Sequence, residues 1–233
     1  MKITIISKKA IIIALSCILI PVLCISACAG AVAGVTQAGG KSFFYGTVVV
    51  DAGHGGIDGG VVGSAGVKES DINLAMARLL KSRLEEANYR VVMTREDENA
   101  LSNIKRIDMQ MRKEIILSSS PLTVISLHVN RFSDSARRGV QVFYDDTKVG
   151  KDFAEAMQAH LNKTVNAKYG GRDDYEAIAG DLFITKCAPV PSIIIECGFI
   201  SNAEDEKLLL DEVYRKELCS RIAELVAREH NPE

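Results

Sequence analysis

Hydrophobic and polar positions along this chain alternate between a strand-like and a helix-like period. The apolar run Val48-Val49-Val50 ends abruptly in Asp51-Ala52-Gly53-His54-Gly55-Gly56, and three consecutive β-branched residues favour a strand buried on both faces. After a glycine-rich loop from Gly55 to Gly66, Ile72, Ala75, Met76, Leu79, Leu80 and Leu84 recur at helical spacing, and Tyr89 to Thr94 returns as a strand. Ile104 to Leu117 predicts a second, less regular helix, closed by Ser118-Ser119-Ser120-Pro121. Leu122 to Leu127 predicts a strand that delivers His128. Gly139 to Tyr144 alternates as a strand, Val149 to Val165 is helical, and Ser192 to Ile195 is a short apolar strand that delivers Glu196. A last amphipathic helix sets Leu218, Ile222, Leu225 and Val226 on one face. Strands alternating with helices predict an α/β fold, a three-layer α/β/α sandwich around a mostly parallel central sheet.

The N-terminal segment has a different pattern. Lys2, Lys8 and Lys9 precede a nearly unbroken apolar run from Ala10 to Ala29, and small residues follow through Gly40, which is the order of an export signal. The run approaches the roughly 20 residues that span a bilayer, so retention as a membrane anchor stays open, although Pro21 interrupts it. Ile25-Ser26-Ala27-Cys28 also resembles a bacterial lipobox with Cys28 as the acylated residue; an ordinary cysteine in an apolar segment is the alternative. The expected division is residues 1–40 as signal or anchor with a short linker and residues 41–233 as the folded domain, which acts outside the cytoplasm. With 233 residues, 47% of them hydrophobic and 25% charged, the chain suits one globular domain with a tail. A net charge of -2 provides no basic field for nucleic acid. Of the six cysteines, Cys187, Cys197 and Cys219 fall in the folded part, an odd number without metal-knuckle spacing. They read as small buried hydrophobes, with a single disulfide left open.

The candidate chemistry lies at the strand ends. His54, His128 and Glu196 each terminate a separate apolar run, and in a parallel sheet such ends share one edge, where ligands bind in open α/β folds. Glu69 stands where the glycine loop meets the first helix, placed to turn back toward the first strand. Two histidines and one carboxylate make a zinc site with an open fourth position, which marks a catalytic site. Amide hydrolysis also needs a base for the water and an acid for the leaving nitrogen. Glu196 suits both roles, because its setting between Ile193-Ile194-Ile195 and Cys197-Gly198-Phe199 is apolar and raises a carboxyl pKa. The plainer readings are a turn histidine at position 54 and a strand-end carboxylate at 196 paired with a lysine or arginine.

These residues belong to a longer series of motifs. Val50-Asp51-Ala52-Gly53-His54-Gly55-Gly56, Lys68-Glu69, Ile125-Ser126-Leu127-His128-Val129-Asn130, Gly139 to Tyr144 and Ile195-Glu196-Cys197-Gly198-Phe199-Ile200-Ser201-Asn202 resemble, in order, the motifs of the zinc-dependent N-acetylmuramoyl-L-alanine amidases of the amidase 3 family. The resemblance runs from about Thr47 to about Val226. It implies zinc held by His54, Glu69 and His128, with Glu196 as the catalytic acid/base. The implied reaction cleaves the amide between the lactyl group of muramic acid and the first L-alanine of peptidoglycan. Within the family the chain is most similar to sporulation amidases of the CwlD type, which help make muramic-δ-lactam in spore cortex. A leader followed by a bare catalytic domain, and the short segment between His128 and Glu196, carry that likeness. An enzyme of this kind implies peptidoglycan as substrate and leaves room for an activating protein partner.

Two departures from the family pattern are Asp51-Ala52-Gly53, where many relatives have Asp-Pro-Gly, and Cys197, where a small or β-branched residue is usual. Asp51 is expected to hold a zinc histidine through its free ring nitrogen. Asn130 and Arg131 face either the substrate or a turn. Two other functions stay open: a non-catalytic zinc-bound module that binds peptidoglycan, against which Glu196 argues, and another exported zinc hydrolase such as a wall carboxypeptidase.

Overall fold

The computed structural model describes residues 44–231; the leader, with its export, anchor and lipobox patterns, lies outside them. Six strands, β1 Thr47–Ala52, β2 Arg90–Met93, β3 Thr123–Asn130, β4 Gln141–Tyr144, β5 Ile178–Ala179 and β6 Ser192–Phe199, form one sheet in the order β2-β1-β3-β6-β4-β5. Neighbours are parallel except β4, which runs antiparallel to β6. Among the described residues the α-helices of eight residues or more are α1 Glu69–Glu86, α2 Lys105–Ser119, α3 Lys148–Leu161, α4 Ala203–Leu210 and α5 Glu212–His230. This is the predicted three-layer sandwich. No helix among the described residues is long and apolar enough to cross a membrane.

Alternation along β1 explains the layering. Val48, Val50 and Ala52 pack with Met76 and Leu80 of α1 and with Ile222 and Val226 of α5. Val49 points the other way and joins Val124, Ile194 and Ile116 of α2. All three valines are fully buried, so each contributes roughly 1.5 kcal/mol or more. Cys187, Cys197 and Cys219 are free thiols in the interior, as expected. Burial pushes the Cys187 thiol up to about 11 and the Cys219 thiol up to about 12, which keeps both protonated and inert.

The structure departs from the sequence pattern in three places. β3 and β6 do not stop at His128 and Glu196; the two residues pair in register inside the strands, and the ladder breaks only between His128 and Asn130. Pairing through the polar positions outlasts the apolar runs because backbone hydrogen bonds do not depend on side-chain type. The predicted helix Val149–Val165 gives way to a π-helical segment, Asn162–Asn166. Gln158 Oε1, in the last turn of α3, accepts from the Val142 N–H at 2.7 Å and Asn166 Oδ1, in the π-helical segment, from the Val140 N–H at 2.7 Å, so buried amides satisfy backbone at the start of β4. Helix α4 had no predicted counterpart; it starts on Asn202, whose side chain accepts from the N–H groups of Glu204 and Asp205.

Candidate active site

At the carboxyl edge of the sheet the chain leaves β1 through Gly53, and His54 adopts a left-handed backbone with φ +61°. Gly53 is required by a close approach: a Cβ there would lie 2.7 Å from Cδ2 of the His128 ring and nearer still to Cε1 and Nε2. His128 comes from β3, next to β1 in the sheet. Glu69 is the first residue of α1, tied down by its own N–H to the Val61 carbonyl at 2.8 Å.

These elements bring the three side chains together. Glu69 Oε1 lies 3.0 Å from His128 Nδ1 and 3.3 Å from His54 Nε2, and one donor atom from each residue falls within 4.8 Å of the others. The two imidazole rings meet edge to face with centroids 5.0 Å apart. The Glu69 carboxylate is aimed by backbone: the Val129 N–H donates to Oε1 at 3.1 Å and the Val61 N–H to Oε2 at 3.0 Å. Burial raises its pKa, but hydrogen bonds from both histidines outweigh that and hold it far below the usual carboxylate range. Two imidazole nitrogens and an ionised carboxylate form a cluster able to bind a metal ion.

Glu196 stands beside His128 on the neighbouring strand, with Oε2 enclosed and without a hydrogen-bond partner. Burial pushes its pKa up to about 7, opposed by the attraction of His128. The expectation of a raised carboxyl rests on that enclosure, and no lysine or arginine pairs with the group among the described residues. Asp51 behaves differently from expectation. It holds neither histidine; its oxygens take the Thr94 hydroxyl at 2.6 Å, the Ser126 hydroxyl at 2.5 Å and Arg112 Nη1 at 2.7 Å. Asp51 lies in β1, in register with Ser126 and beneath α2, so its nearest donors come from the core and not from the cluster.

The histidine support comes instead from Asp58, whose Oδ1 lies 2.9 Å from His54 Nδ1, which leaves Nε2 to face Glu69. Sequence reasoning also passed over two buried arginines. Arg112 donates to the carbonyls of Ala52 at 2.8 Å and His54 at 2.7 Å, and Arg95 to those of Ala52 at 3.0 Å, Gly53 at 3.1 Å and Ser70 at 2.9 Å. Together they fix the turn that carries His54. The i,i+4 pair Asp108 and Arg112, inside a helix of irregular apolar spacing, was the available signal.

Residues 48–228 match the model of a protein family, Amidase_3, described as N-acetylmuramoyl-L-alanine amidase. The chain belongs to this family. The amidase is similar to the germination-specific N-acetylmuramoyl-L-alanine amidase of Bacillus subtilis (strain 168), 29% identical over 194 residues, which cover 78% of this chain and 78% of that relative. It is also similar to the uncharacterized protein YqiI of the same strain, 29% identical over 179 residues, covering 76% of this chain and 81% of YqiI. Among solved structures, the CwlD amidase of Clostridioides difficile, determined in complex with the GerS lipoprotein, superposes with a TM-score of 0.72 at 32% identity. That match covers 79% of the amidase and 98% of CwlD. The chain is therefore an enzyme of peptidoglycan, an N-acetylmuramoyl-L-alanine amidase by activity class.

Two clefts of about 320 and 210 Å³ share His54, Asp58, Lys105 and Asp108, and the smaller is also lined by Met109, Leu182 and Phe183. A third, of about 360 Å³, opens beyond the ends of β3 and β6; Val62, Arg131, Ile200 and Glu206 line it in part, and none of His54, Glu69, His128 and Glu196 does.

Proposed function

We propose that His54, Glu69 and His128 hold one zinc ion and that Glu196 moves the proton, in hydrolysis of the amide between the muramic acid lactyl group and L-alanine. The donor set supports zinc on geometry. Ligands about 2.0–2.1 Å from a tetrahedral ion stand about 3.3 Å apart; the two separations from Glu69 are 3.0 and 3.3 Å, and the third, between the histidines, is within 4.8 Å. With three protein donors, a fourth position stays open for water or substrate. When bound, zinc supplies Lewis acidity that polarises the scissile carbonyl and brings the pKa of a water to about 7.

The observation that carries the reading is Glu196, beside His128 in register, with its Oε2 enclosed and unpartnered so that burial pushes its pKa up to about 7. Ionised, it takes a proton from the attacking water; protonated, it returns that proton to the leaving L-alanine nitrogen. A group with pKa near the working pH performs both transfers well. Glu69 stays ionised and held by the backbone, Asp58 presents Nε2 of His54, and the arginine-clamped turn keeps His54 in place.

Similarity to the germination-specific relative and to CwlD supports a role in spore cortex, in forming muramic-δ-lactam. The CwlD complex with a lipoprotein supports an activating protein partner for this chain as well. The apolar segment 10–29 supports export, with residues 41–233 as the catalytic domain outside the cytoplasm, and Cys28 or the run itself as a membrane attachment.

Digestion of purified peptidoglycan followed by mass spectrometry tests the reaction. The expected products are stem peptides with a free L-alanine amino terminus and glycan with intact lactyl carboxylates. New carboxyl termini within the stem would reassign the enzyme as a carboxypeptidase, and no release with both zinc and a lipoprotein partner present would make it a binding module.

A further inference from the structure

We propose that Arg131 is a specificity-determining residue that binds a carboxylate of the stem peptide on the leaving-group side of the scissile amide. The inference rests on the site reading above and extends it to the direction in which the substrate lies.

The cleft beyond β3 and β6 is walled by the segments that continue β3 and β6 past His128 and Glu196, although neither residue lines it. Arg131 follows the last residue of β3, three residues past His128, or about 10 Å along an extended chain. The floor is closed by the Ile200 N–H on the Asn130 carbonyl at 2.9 Å and by the Phe132 N–H on Ser201 Oγ at 3.1 Å. The far wall is the glycine loop, where Val62 follows the residue whose N–H binds Glu69. A chain leaving the cluster on this side therefore reaches Arg131 within about three residues.

Charge singles out the same residue. Arg131 is exposed and has no hydrogen bond or ion pair among the described residues. The other arginines of its loop are engaged: the Arg137 guanidinium lies 4.4 Å from the Phe132 ring centroid, and Arg138 donates to the Tyr169 carbonyl at 2.8 Å and faces Asp205 at 3.4 Å. Glu206, the anion across the cleft, has both oxygens occupied, by the Ser64 hydroxyl and by the Ala65 N–H at 2.9 Å. In the cleft on the opposite side, Lys105 is already paired with Asp58 at 3.3 Å.

The two halves of the substrate differ in the matching way. The half that leaves as an amine is a peptide and carries at least a terminal carboxylate. The sugar half carries none at this point, because its lactyl carboxyl is the acyl part of the amide. A free guanidinium on one side of the cluster and a partly apolar cleft on the other assign peptide to the Arg131 side and glycan to the Leu182 and Phe183 side.

The test uses two soluble substrates, an N-acetylmuramoyl tripeptide with free carboxylates and the same compound with every carboxylate amidated. Arg131→Gln should lower kcat/KM on the acidic substrate about tenfold, through KM, and leave the amidated one unchanged. Arg131→Lys should keep most of the preference, and Arg131→Glu should invert it. Equal effects on both substrates, or none on either, overturn the assignment. A wild-type enzyme that cuts neither substrate with zinc and a lipoprotein partner present overturns the site reading itself, a failure visible before any Arg131 variant is made.

Discussion

Gly53→Ala tests the geometry of the cluster without replacing a proposed ligand. The new Cβ would stand 2.7 Å from Cδ2 of His128, where ordinary contact begins at 3.4 Å, so the ring must retreat by about 0.7 Å, the difference between the two, or more at Cε1 and Nε2. Metal–ligand distances tolerate about 0.2 Å. His128 Nδ1, now 3.0 Å from Glu69 Oε1, would leave its place, while the sheet pairing that carries both residues stays. Disturbing the support of a metal ligand typically costs 10–100-fold in affinity, and overpacking costs roughly 1–3 kcal/mol of stability. Competition against a chromogenic chelator should therefore show zinc affinity at least about tenfold weaker, with the circular dichroism of a folded protein. Gly180→Ala is the control, because its nearest neighbour to a new Cβ is the Leu182 side chain at 3.4 Å, an ordinary contact. Zinc affinity within twofold of wild type in folded Gly53→Ala would refute the argument that His128 needs a glycine beneath its ring.

Other expectations follow from the same contacts. Glu196→Gln should keep its zinc and lose turnover by about 100-fold or more, whereas Glu69→Gln should lose the metal, since a neutral amide is a weak ligand; elemental analysis and peptidoglycan digestion read the two apart. In the metal-free protein the raised Glu196 pKa makes the native state hold a proton that the unfolded chain releases, so stability falls as pH rises from 4.5 to about 7. That span corresponds to about 3 kcal/mol, and urea unfolding at pH 8 should show metal-free Glu196→Gln more stable than wild type; an equal midpoint would mean the carboxyl is not enclosed. Asp58→Asn should weaken zinc binding about tenfold by loosening the choice of His54 ring nitrogen, and an unchanged affinity would make that 2.9 Å contact incidental.

What local pattern determined here is what depends on neighbours in sequence. Three valines in a row are strand on either face, and the α1 stripe from Ile72 to Leu84 is helix, because period and branching act within a few residues. The placement of His54 and His128 on one edge followed from parallel topology, since the strand–helix crossovers from β1 to β3 return the chain to the same end of the sheet, while Glu196 joins them because β6 pairs parallel to β3 after the chain has run antiparallel through β4. Tertiary structure alone decided which polar groups meet across elements. Asp51 turned inward to Arg112 because α2 crosses that face of β1, and no spacing within either segment encodes the crossing. Asp58 took the His54 ring because the left-handed backbone at His54 folds the glycine loop back on itself, a conformation held by the His54 carbonyl on Arg112, 58 residues away. The lengths of β3 and β6 were likewise set by pairing: His128 and Glu196 sit inside strands because each backbone supplies the other's hydrogen bonds, whatever the polarity of the side chains they carry.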